Sequence, residues 1–203
     1  MGFVMVGECG TKRAMAERSR PPRRPRPELD ERSLGALALR YVERFATTRH
    51  KLGGYLQRKI RERGWSGEHA PDLAALAERF AGQGYIDDAA FALAKARTLT
   101  GRGYGRRRVS DTLRVAGVSE EDGAPARELA DEHKVRAALR FAERRRIGPF
   151  ASAPPADPRA RDKARDKALG AMLRAGHGFA LARAIVGLAP GDPFDPDELS
   201  QFD

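Results

Sequence analysis

Two stretches, RHKLGGYLQRKIRERGW at residues 49–65 and RGYGRRRVSDTLRVAGV at residues 102–118, decide the fold. Laid on one another at an offset of 53 residues, they match Arg49 to Arg102, Leu56 to Val109, Ile60 to Leu113, Gly64 to Gly117 and Trp65 to Val118, and Arg44 with Arg97 extends the match. In each copy the apolar residues recur at helical spacing. A glycine then closes the run, as suits a helix end that turns through the left-handed region. The chain therefore repeats a helical unit. A fainter third copy is written by Arg144 to Arg146, then by Leu169, Met172, Leu173 and Gly176, with Phe179 to Ala189 as one more helix.

Outward from the repeat, Leu34, Leu37, Ala38, Tyr41 and Phe45 fall on one face of a helix that Ser33 can cap. Leu52, Tyr55, Leu56 and Ile60 make the buried stripe of the next. Leu73, Leu76, Ala77 and Phe80 form a third helix closed by Gly82 or Gly84, Phe91 to Leu99 a fourth, and Val109, Leu113 and Ala116 a fifth. No segment alternates with a period of two, and aromatics are only 7%, which counts against sandwiches and barrels. The expected fold is all-α: three tandem three-helix repeats forming an elongated, curved body. The expected divisions are repeats at 33–86, 87–134 and 135–189. SRPPRRPRP at 19–27 places a disordered basic tail over 1–32, since four prolines deny helix its amide donors. GPFASAPPADPR at 148–159 is a Pro-rich loop, and 190–203 reads as an acidic C-terminal tail.

The chain of 203 residues carries 38 Lys and Arg against 28 Asp and Glu, net +10, which favours a polyanionic or acidic partner. Arginine dominates, and its planar fork suits phosphate and carboxylate. The sign of the charge alternates along the chain: +6 over 33–65, −2 over 66–100, +4 over 101–118, −3 over 119–136, +6 over 137–176 and −4 over 177–203. This predicts a basic stripe along the body. Its candidate partner or nucleic-acid contacts are Arg49, Lys51, Arg58, Arg102, Arg106, Arg107, Arg108, Arg144 and Arg145. No run of about 18 apolar residues suggests a membrane span, and the first residues have neither the basic start nor the apolar stretch of a signal peptide or anchor. With a single cysteine, Cys9, no internal disulfide is possible, so a cytoplasmic protein is expected; a monomer is expected as well.

The run Gly101 to Arg108 places glycines where backbone amides could accept phosphate. The Gly-Lys-Ser/Thr ending of a Walker loop is absent, so the open readings are electrostatic contact with a polyanion or carboxylates, and a plain interhelical turn with exposed arginines. Adjacent Asp87 and Asp88 invite a metal or carboxylate-catalysis reading. Neighbours on a helix point about 100° apart, however, and acids before a helix are explained by capping and dipole. Tyr85 and Ile86 read as packing residues between repeats, and Trp65 as packing rather than base stacking. His50, His69, His133 and His177 occur in no metal-ligand spacing, and no nucleophile, base and orienter assemble, so no enzyme, cofactor or metal is expected.

These residues together resemble the RecX family of regulators of the RecA recombinase, over residues 34 to 189. The first unit carries Ala36, Leu37, Arg49, Leu56, Lys59, Ile60 and Gly64 of its pattern. The most diagnostic string is Gly84-Tyr85-Ile86-Asp87-Asp88 followed by Phe91. Next come Arg97, Gly103, Tyr104, Gly105, Arg108, Val109, Leu113, Gly117 and Val118. The resemblance implies a helical body in the groove of the RecA filament on single-stranded DNA. There it would inhibit recombinase, ATPase and coprotease activities, and so act in homologous recombination, DNA repair and the SOS response. The third unit departs from the pattern, with the Pro-rich loop and GHGF at 176–179. A free-standing nucleic-acid-binding protein with an arginine-rich helical surface is the alternative.

Overall fold

A computed structural model describes residues 27–152 and 156–202. Its helices are α1 (Glu31–Val42), α2 (Arg49–Arg63), α3 (Leu73–Gly82), α4 (Asp88–Gly101), α5 (Arg106–Val115), α6 (Glu120–Glu132), α7 (Lys134–Arg145), α8 (Pro158–Arg174), α9 (Phe179–Gly187) and α10 (Pro196–Ser200), with a 3-10 turn at Gly148–Phe150. Among the described residues there is no strand, only a single parallel bridge between Leu29 and Trp65.

Three apolar clusters hold the helices together. Leu34, Leu52, Leu56, Phe80 and Ile86 bind α1 to α3, and Phe141, Met172, Leu181 and Ile185 bind α7 to α9. Each buried Leu, Ile or Phe contributes about 1.5–3 kcal/mol. The middle cluster is built differently, from Ala92, Ala96, Val109, Leu113, Ala126 and Ala130. Methyl groups leave little between α4 and α6, so their backbones lie close. That explains why apolar periodicity does not announce α6: its buried face is Gly123, Ala126 and Ala130.

Local signals work as the sequence suggests, with corrections at Phe45, at the cap of α1 and at Gly64. Phe45, expected on the apolar face of α1, lies beyond its end at Val42 and is 49% exposed. Ser33 is not the cap of α1. Asp30 is, accepting the Ser33 amide at 2.7 Å while the Ser33 hydroxyl accepts the Asp30 amide at 3.0 Å, a reciprocal capping box. Asp72 and Asp87 cap α3 and α4 in the ordinary way. Gly64, Gly84, Gly117 and Gly176 all have φ between 69° and 93°, a range open to glycine, but at Gly64 ψ is 170°, so α2 ends in an extended glycine and not in the left-handed turn expected there.

The packed body reaches further at both ends than the sequence suggests. Leu29 is fully buried, its amide donating to Gly64 O at 3.1 Å and its carbonyl accepting from the Ser66 amide at 2.8 Å. Arg63 donates to the Pro27 carbonyl. The unit therefore starts before residue 33, while the rest of the proposed tail, 1–26, lies outside the described residues. The C-terminal segment does not trail free: Leu199 on α10 is buried in the α7 to α9 cluster, and Phe194 meets Phe150 edge-on at 5.7 Å. Of the Pro-rich loop, 153–155 lies outside the described residues, and α8 already begins at Pro158.

The second helices of successive units meet end to end. Thr48, the N-cap of α2, donates its hydroxyl to the carbonyl of Ala116, the C-cap of α5, at 2.6 Å. Gly105, the N-cap of α5, donates its amide to the carbonyl of Ala175, the C-cap of α8, at 3.0 Å. Each joint sets the partial negative end of one helix dipole against the partial positive end of the next.

Candidate partner interface

The glycine run between α4 and α5 is a backbone joint. A Cβ on Gly105 would overlap the Gly176 carbonyl, one on Gly176 would overlap the Arg108 amide, and one on Gly103 would stand 2.9 Å from the Phe141 amide nitrogen. The amides of Gly105 and Arg107, the donors a phosphate would need, are taken by Ala175 and Gly176 carbonyls at 3.0 and 3.2 Å. These two amides are therefore not available to cradle a phosphate. His177 seals the joint from beneath. It is 6% exposed, its Nε2 lies 3.1 Å from Gly103 O, and its ring is tilted over Phe141. Burial pushes its pKa down to about 4, against the pull of the Gly103 carbonyl.

What remains outward is guanidinium. Arg106, Arg107 and Arg108 occupy the first turn of α5, with no acid in that turn, so they sit against the positive end of the dipole. From α7, Arg140 donates to Gly101 O at 2.6 Å and Arg144 to Arg102 O, covering the last carbonyls of α4. Arg108 lies over Tyr104 and Arg145 over Phe141. The fold thus gathers Arg102, Arg106, Arg107, Arg108, Arg144 and Arg145 at one seam, from segments about forty residues apart in sequence. Among the described residues Asp131 is paired with this group, at 3.2 Å from Arg106.

The other candidates lie elsewhere. Arg49 is committed to the protein itself. Its amide and Nε both donate to Asp88 at 3.1 Å, Nη2 to Asp122 at 2.9 Å, and Nη1 to Glu78 at 3.3 Å. The Asp88 hydrogen bond chiefly, against desolvation, raises its pKa. Three carboxylates from α3, α4 and α6 therefore engage the Arg49 fork and give the side chain a structural role within the chain, although it stays 35% exposed. Asp88 is correspondingly more than a dipole partner, for its side chain is 3% exposed and serves as the buried anchor of Arg49. Nothing in the sequence pairs the two, since they are 39 residues apart. Lys51 sits 4.6 Å over the Phe91 ring, its pKa lowered by burial and then by Lys95. Arg58 is exposed on α2, over Tyr55.

Ile86 is buried, whereas Tyr85 is 47% exposed and only edges Phe80. Tyr85 is therefore not the inter-repeat packing residue its sequence context suggests. Trp65 is half-buried against the first cluster, donating Nε1–H to His69 O at 2.8 Å. Among the described residues no three His, Cys, Asp or Glu side chains are grouped to hold a metal, and no helix is long and apolar enough to cross a membrane.

Helical units joined end to end, with a cationic seam outside, define a helical-repeat protein with an arginine-rich surface. The chain belongs to the RecX family of regulatory proteins. The Regulatory protein RecX of Myxococcus xanthus is 31% identical over 183 residues, covering 86% of this chain and 94% of that one. Residues 87–124 match the family's second three-helix domain. The crystal structure of RecX from Lactobacillus salivarius has the same fold, with a TM-score of 0.53 at 17% identity, covering 77% of this chain and 94% of that one.

Proposed function

We propose that this chain, as a monomer without cofactor, binds the RecA filament on single-stranded DNA and inhibits its recombinase, ATPase and coprotease activities. Family membership along nearly the whole length of a RecX protein carries the reading. The seam at the second and third units supplies a means. Three arginines in one helical turn repel each other and oppose the helix dipole, a cost that acidic protein and phosphate would offset. Contacts from several units along a periodic filament would add by avidity. Bridging adjacent subunits would resist the motions of ATP turnover.

The test replaces Arg102 and Arg107 with alanine. Both are exposed, so stability should change by less than about 0.5 kcal/mol. Inhibition of RecA ATP turnover on single-stranded DNA should weaken by about 1–3 kcal/mol per lost charge-assisted contact, and added salt should mimic the change. A folded double variant that inhibits at the parent's concentration and salt would refute the role of the seam.

A further inference from the structure

Away from the seam, the first unit carries an aromatic row whose outermost member, Phe45, is half exposed. Tyr55 of α2 stacks on Tyr41 of α1, centroids 4.2 Å apart and planes 15° from parallel, and Tyr41 meets Phe45 at 5.3 Å. Both tyrosines pack on the apolar cluster beneath them, whereas Phe45, resting against Tyr41, is 49% exposed. Cations edge the row. Arg44 lies 5.4 Å over Phe45, and Arg58 and Lys59 each lie 5.8 Å over Tyr55. Arg44 and Arg58 have no carboxylate partner among the described residues, while Lys59 is held by Glu62 at 2.6 Å. Residues 40–62 contain seven Lys and Arg against two Glu.

We propose that Tyr41, Phe45 and Tyr55, edged by Arg44 and Arg58, form a stacking platform for unpaired nucleobases, so that the free protein grips a single strand through the first unit. Rings give a base a π-face whatever its identity, and neighbouring guanidiniums answer the phosphates that a stacked base brings with it. An apolar protein partner would want the ring without this surplus of charge. A duplex would answer the charge and leave the ring unused. The inference concerns the free chain and is independent of the RecA reading, so either can fail alone.

The experiment measures, without RecA and at low salt, the anisotropy of a labelled thymidine oligonucleotide of about 16 nucleotides against an abasic strand of equal length. The parent should prefer the base-bearing strand by roughly 5- to 100-fold, the range a stacked base supplies. Phe45→Ala should abolish most of that preference, and Phe45→Trp should keep it. Arg44→Ala with Arg58→Ala should weaken binding to both strands alike and flatten its salt dependence. Equal affinity of the parent for the two strands, or no binding to either, overturns the proposal. So does a preference retained by Phe45→Ala. Loss of RecA inhibition by Phe45→Ala without any base preference in the parent would likewise overturn it, assigning the row to a protein contact.

Discussion

Arg49 offers the sharpest separation of a structural from a binding role. Replacing it with Met keeps the aliphatic stem but leaves the Asp88 carboxylate, 3% exposed, with only the backbone amide at 3.1 Å. Removing one partner of a buried pair costs about 3–5 kcal/mol. The Arg49 side chain is itself 35% exposed, so water relieves part of the loss and the lower end, about 3 kcal/mol, applies. The outer pairs add little, since Glu78 is 64% exposed and such contacts are worth about 0–1 kcal/mol each. For a chain of this size about 3 kcal/mol lowers Tm by roughly 6–12 °C. Asp88→Asn alone should destabilise, but Arg49→Met with Asp88→Asn removes the stranded charge. The double variant should then be more stable than the sum of the singles implies, by about 2 kcal/mol. Thermal and urea unfolding of the parent, both singles and the double complete the cycle. A single variant costing under about 1 kcal/mol, or additive singles, would refute the buried anchor. Normal stability with lost RecA inhibition would restore Arg49 as a contact.

Gly105→Ala and Gly176→Ala should each destabilise by more than about 3 kcal/mol because the new methyl meets backbone, whereas Gly53→Ala, with nothing within 4 Å inside α2, should be neutral or stabilise by up to about 1 kcal/mol; urea midpoints decide. His177 has a folded pKa lowered to about 4 from 6.5, so the unfolded chain binds the extra proton between those values. Stability should therefore be lost as pH falls from 6.5 towards 4, by up to about 3 kcal/mol from this group, and be unaffected by it above 6.5. Unfolding at pH 7 and 4.5 should show a smaller difference in His177→Gln, and an identical difference would count against the buried neutral ring. Leu29→Ala and Leu199→Ala should each cost about 2–4 kcal/mol, although both lie where the sequence reads as tail. A negligible shift in Tm would return those ends to the tails.

The positions of most helices and their glycine ends follow from the sequence, because both are local: the 3.6-residue period of Leu52, Leu56 and Ile60 and the positive φ of Gly64 and Gly117 need only near neighbours. The 53-residue repeat makes the same local solution recur. The charge alternation likewise marks where arginine is plentiful. It leaves unsettled which arginines stay outward, since that depends on partners far along the chain. Arg49 and Arg102 occupy matching positions in the repeat. Three carboxylates surround Arg49 because α3, α4 and α6 converge on it, while Arg102 is left exposed. Alanine and glycine hide the closest packing, for a small residue carries almost no apolar signal and yet permits backbones to touch, as between α4 and α6 and at Gly105 against Gly176. The end-to-end joints of α2, α5 and α8 come from the tertiary structure alone. They pair Thr48 with Ala116 across 68 residues and His177 with Gly103 across 74, and only when successive units have packed do those helix ends find the donors and acceptors that water would otherwise supply.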